Sequence, residues 1–215
     1  MRDLKKIAAL VLVGSMCVAM VACGKTKDDN TTNENTTTAG GQQEVTTEAA
    51  GANGAEYRDD VPVADVEAAV AAALGEAYYA NMPMDTLEGL EITPDMYEEF
   101  VYMVPMISAN VDTLIVVKAA DGKVSDVEAK LNAFRDRNIN DLMQYPMNLA
   151  KIQCSQVLTF GEYVVFVQFG ADKGMLAVEA AGDNVSEDEA AKLEMDAINE
   201  QNEIAINAIK EALTK

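Results

Sequence analysis

Thirty-six acidic side chains and no histidine set the terms of any chemistry this 215-residue chain can perform. Without an imidazole there is no Ser-His-Asp or Cys-His relay and no zinc site of the common kind. Carboxylates are the remaining acid–base groups. Asp95, Glu98 and Glu99 lie together, and a carboxylate pair is what glycoside hydrolysis uses. Acidic residues also gather at helix starts and on solvated faces, which accounts for most of those seen here. The run 183–189 lacks the alternating ligands and central glycine of a calcium loop. Cys154 falls in the alternating run 152–160 and reads as a small buried apolar residue, with no base nearby to make it a nucleophile. Among twelve methionines, Met82, Met84, Met96, Met103 and Met106 crowd around Pro83 and Pro105. Core filling is the ordinary use of such residues. A soft surface for an apolar peptide or lipid, and thioether ligation of Cu(I), are the alternatives. No catalytic, cofactor-binding or metal-binding residue is assigned, and no cofactor is expected.

One side chain does have an assignable reaction. Arg2, Lys5 and Lys6 precede an uncharged apolar stretch over residues 7–21, the pattern of an export signal and too short for a comfortable membrane span. Met20-Val21-Ala22-Cys23-Gly24 resembles the lipobox of a bacterial lipoprotein, with Met20 in place of the usual leucine. That resemblance implies thioether diacylation of Cys23 with palmitate-type chains and cleavage before it. Two acyl chains hold a protein on a bilayer, at about 0.8 kcal/mol per buried methylene, where one chain would not. Loss of residues 1–22 leaves 193 residues, enough for a substantial core, with Cys154 as the one thiol not lipidated.

Residues 23–55 then read as the lipidated cysteine and a polar tether, in which Val45 is the one large aliphatic side chain. Such a segment buries too little apolar surface to offset its ordering entropy. As a coil of about 30 residues it would have an end-to-end distance of roughly 30 Å. Removing Arg2, Asp3, Lys5 and Lys6 with the signal leaves 13 basic and 35 acidic residues, a net charge of −22. A domain so charged is repelled by nucleic acid and by anionic lipid, which excludes a nucleic-acid role.

The elements that follow are read from periodicity. Val63, Val66, Val70, Leu74 and Tyr78 recur at helical spacing, and residues 81–93 read as a loop. Thr93-Pro94-Asp95 with Glu98 and Glu99 predicts the start of a short helix carrying Tyr97, Phe100 and Val101 and ending before Pro105. Residues 113–119 are a buried strand. Ser125 with Glu128 reads as a capping box opening a helix to about Gln144, which Pro146 stops. Residues 152–160 and 163–169 form a hairpin about Gly161-Glu162. The second of these is apolar on both faces and so belongs between the first and the 113–119 strand. The chain is irregular after Gly170 until Ser186, which with Glu189 opens a helix to about Leu213. Asn202 interrupts its apolar face.

The expected fold class is α+β: a small three-stranded, mainly antiparallel sheet, made of a split β-α-β unit plus a hairpin, with packed helices and a long C-terminal helix. The expected domains are 1–22 signal peptide, 23–55 anchor and tether, 56–171 α+β domain, and 172–215 linker and helix. The anchor, the tether, Val104-Pro105-Met106-Ile107-Ser108, Asp121-Gly122-Lys123 and Val164-Val165-Phe166-Val167 together resemble a family of small clostridial-type lipoproteins whose domain has no assigned function. The resemblance spans roughly residues 56–171. It implies location and architecture and brings no catalytic residues. The expected protein is an extracytoplasmic lipoprotein on the outer face of the cytoplasmic membrane of a Gram-positive envelope. It would be a non-enzymatic module offering residues 81–93 and 105–112 to an envelope protein or small ligand. The alternative is a cell-envelope hydrolase, or its accessory subunit, using carboxylates.

Overall fold

The computed structural model describes residues 56–141, 143–170, 173–182 and 184–215. The chain divides into two units, 1–44 and 45–215, and the fold below belongs to the second. Cys23, the signal and the tether lie outside the described residues.

The Val63, Val66, Val70 and Leu74 stripe forms α1 (Val63–Leu74) and is buried along its length. Next come β1 (Met82–Pro83), β2 (Tyr97–Val104) and β3 (Thr113–Ala119). They are followed by α2 (Val124–Asn140), α3 (Pro146–Gln153), β4 (Gln156–Phe160) and β5 (Tyr163–Gln168). The last two elements are α4 (Lys173–Ala181) and α5 (Glu187–Leu213). One antiparallel five-stranded sheet has the order β1-β2-β3-β5-β4. The strand apolar on both faces, β5, does lie between β3 and β4, and the fold is α+β.

The sheet has five strands, not three, because residues 97–104 are extended. The helix-start signals at Thr93 and Asp95 are absorbed by a turn: Thr93 Oγ1 donates to Asp95 Oδ1 at 2.6 Å and Met96 N–H to Thr93 O at 2.9 Å. Beyond it Phe100 and Tyr102 pack with α2, while Val101 and Met103 pack with α1 and α5, the two-fold alternation of a strand. The decisive factor is β3, which is buried on both faces and needs backbone partners on both edges. β5 supplies one edge and β2 the other. The two-residue β1 then pairs Met82 with Val104 at the margin of the sheet.

Three smaller expectations also change. Ser125 is no cap: Lys123 holds that position without a side-chain bond. Pro146 does not simply end α2, which stops at Asn140, but occupies the first turn of α3, where its missing N–H costs nothing. Consequently Ile152 and Gln153 are helical, Cys154 caps α3, and β4 begins at Gln156. Residues 173–181, expected to be irregular, form α4. Gly174 lets α4 lie against α5, since a Cβ there would fall 2.5 Å from Glu194 Cγ.

Helices cover both faces of the sheet. On one, α1 and α5 enclose Leu114, Val116, Val165 and Phe169. On the other, α2 and the β1–β2 connection, with Leu87, Leu90 and Ile92, enclose Ile115, Val117 and Phe166. The Ser186–Glu189 capping box is formed as read. Asn202 is fully buried: its Oδ1 accepts from Phe169 N–H at 2.8 Å and its Nδ2 donates to Cys154 O at 3.0 Å. The interruption in the apolar face is thus a peg joining α5 to the end of β5 and to the cap of α3.

Candidate functional site

Strand registers bring the ends of β2 and β5 and the starts of β1, β3 and β4 to one end of the sheet: Met82 is opposite Val104, Thr113 opposite Gln168, and Gln156 opposite Val167. The β2–β3 connection, residues 105–112, crosses this end and is held against α3 by polar side chains. Asn148 Nδ2 donates to Ala109 O at 3.0 Å, and Lys151 Nζ to Asn110 Oδ1 at 2.8 Å. Lys151 Nζ is also 2.9 Å from Asp112 Oδ1, with 3% and 0% of the two side chains exposed. Gln168 Nε2 donates to Val111 O, and Asn110 Oδ1 also accepts from Asp112 N–H at 3.0 Å. An ion pair this deep fixes geometry at a high desolvation cost. Sequence reasoning missed it, because Asp112 and Lys151 lie 39 residues apart and neither stands out alone.

What this lock holds in place is apolar and exposed. Met106 is 76% and Ile107 69% exposed on the connection, while Met143 is 89% exposed before α3. Tyr145, Met147 and Leu149 follow at the start of α3. Residues 103–111 and 142–150 contain no charged residue, in a chain that is 24% Asp, Glu, Lys and Arg. The signal was present in the sequence as two uncharged runs, but only the fold places them together. The methionines are divided between the two uses: Met96 and Met103 fill the core on opposite faces of the sheet, whereas Met82, Met84 and Met106 are exposed.

The other candidates do not assemble. Glu98 pairs with Lys118 at 2.6 Å, Glu99 accepts from Val63 N–H at 3.3 Å at the start of α1, and Asp95 turns back on Thr93. The hydrogen bond from Thr93 holds the Asp95 carboxyl below its ordinary range. The three carboxylates therefore serve separate local partners. Cys154 is buried, and desolvation pushes its thiol up to about 11, the opposite of an activated nucleophile. Among the described residues no three of Cys, Asp and Glu are grouped to hold a metal ion, and no helix is long and apolar enough to cross a membrane.

Residues 81–168 match a family described as Domain of unknown function (DUF4358). The matched span begins next to β1 and ends at the last residue of β5, so it holds the whole sheet with α2 and α3, and thus both uncharged runs. α1, α4 and α5 lie outside it. No curated protein and no solved structure matches the chain.

Proposed function

We propose that this protein is a lipid-anchored extracytoplasmic module, held by Cys23 on the outer face of the cytoplasmic membrane, that docks an envelope protein on its uncharged end. The observation that carries the reading is the pair of uncharged runs, 103–111 and 142–150, displaying Met106, Ile107, Met143 and Met147 to solvent. Large exposed apolar groups set in a strongly charged surface mark an interaction site, and methionine suits a surface that adapts to its partner. Locking the connection through Lys151 and Asp112 reduces the ordering entropy lost on docking.

The partner is read as protein rather than bilayer for two reasons. The chain carries a net charge of −20, which disfavours anionic lipid. Glu56, where the chain enters the domain, pairs with Lys215 beside the Tyr57–Thr214 bridge. Tyr57 packs on Phe160, at the end of the sheet away from residues 105–112. Photocrosslinking in intact cells from position 107 should capture a defined envelope protein, and the same probe at position 162 should not. Equal capture from both positions, or capture that survives Met106→Asp with Met147→Asp, would overturn the docking surface. Cys23→Ala should release a folded protein from the membrane, and unchanged membrane retention would remove the anchor from the proposal.

A further inference from the structure

A cleft of about 190 Å³ lies between the turn after α1, the β5–α4 junction and the middle of α5. Its floor is Gln201, of which 4% is exposed. Unlike its neighbour Asn202, Gln201 makes no side-chain hydrogen bond among the described residues, and its amide is not among the buried atoms cut off from water, so it can offer a donor and an acceptor to a molecule in the cleft. Glu76, from the turn after α1, and Lys173, from the start of α4, both line it. Lys173, like Lys210, has no carboxylate within 4 Å among the described residues, whereas Lys118, Lys123, Lys130, Lys151, Lys192 and Lys215 each have one. Ala77, Tyr79 and Leu176 supply the apolar wall. Gly170 keeps the remaining wall bare: at φ +117° and with Ile198 3.1 Å from any added Cβ, no side chain fits there.

We propose that this cleft binds one small zwitterion, a free α-amino acid with an apolar side chain. A simple anion would meet Glu76 and a simple cation would meet Lys173, so a lining that carries both signs selects a ligand carrying both charges. Its ammonium faces Glu76, its carboxylate faces Lys173, the Gln201 amide bonds either group, and the side chain lies on Tyr79 and Leu176. The volume is below the 300–1,000 Å³ or so of drug-sized sites, which limits the ligand to about one residue. This goes beyond docking and does not depend on it.

The test is calorimetry on the purified full-length chain with L-leucine, L-methionine and L-phenylalanine. L-Leucine methyl ester and N-acetyl-L-leucine, which each lack one charge, complete the set. Saturable binding of at least one free amino acid is expected, and each leucine derivative should bind about tenfold or more weakly than leucine. Lys173→Ala should bring leucine and its methyl ester to equal affinity, and Glu76→Gln should do the same for leucine and its N-acetyl form. Both positions are exposed, so neither change should disturb the fold. Absence of binding by all three amino acids, or N-acetyl-leucine binding as tightly as leucine, overturns the proposal. Ile107→Asp should leave the affinity unchanged, and a loss there would overturn the separation of cleft from docking surface.

Discussion

Lys151→Met is the sharpest perturbation of the locked end. Methionine keeps most of the length of lysine and removes the cation 2.9 Å from Asp112 at a position where 3% and 0% of the two side chains are exposed. Removing one partner of a buried ion pair costs about 3–5 kcal/mol, because the other charge remains desolvated. Total stability for a domain is about 5–15 kcal/mol, so the loss is a large fraction of it. For a domain of about 160 residues, each kcal/mol moves the melting temperature by roughly 2–4 °C, which gives a fall of about 6–20 °C. Far-UV circular dichroism during thermal and urea unfolding reads both quantities. Lys151→Met combined with Asp112→Asn should lose less than the sum of the two single changes, since no lone charge is left buried. A cost below about 1 kcal/mol for Lys151→Met, or strict additivity in the double variant, would refute the claim that this pair locks the connection.

Other outcomes follow from the same structure. Asn202→Leu should destabilise by about 1–3 kcal/mol for each of the two backbone groups it orphans, Phe169 N–H and Cys154 O; urea midpoints would show it. Ile107→Asp, on an exposed side chain, should leave the melting temperature unchanged while abolishing the crosslink from position 147. Burial raises the Cys154 thiol to about 11 and also raises the Tyr163 phenol. The unfolded chain therefore gives up these protons first, and stability should fall as pH climbs from about 9 toward 11, with no matching loss from these groups below neutrality. Alkylation of Cys154 by iodoacetamide at pH 8 should proceed at the rate of unfolding rather than at that of an exposed thiol.

How much of this was legible in the sequence depended on whether a signal was local. The valine stripe of α1, the capping box of α5 and the two-faced strand β5 were readable, because helical spacing, a cap and unbroken apolarity each lie within one segment. Residues 97–104 were misread because their local signals favour a helix, while the deciding influence, the open edge of β3, is set by tertiary structure. Pro146 permits two local readings, stop or start, and the short α3 that distinguishes them lacks a long apolar period. Asn202 looked like a defect in an apolar face until its two backbone partners appeared. The exposed apolar end was half legible: its uncharged runs can be counted, but the ion pair that holds one beside the other joins residues on separate elements.

The ends of the domain form a seam. Arg58 N–H donates to Leu213 O at 2.8 Å, Lys215 N–H to Glu56 O at 3.1 Å, and Tyr57 bridges Thr214. Tension arriving through the chain before Glu56 would therefore pass directly into the last turn of α5, whose buried face runs from Leu213 back through Ile206 to Asn202. Asn202 in turn grips Phe169 and Cys154 at the opposite end of the sheet. A pull arriving before Glu56 and a load at the end of the sheet beside residues 105–112 would thus meet along one helix, with α5 as a tie rod that carries force past the sheet rather than through its strands.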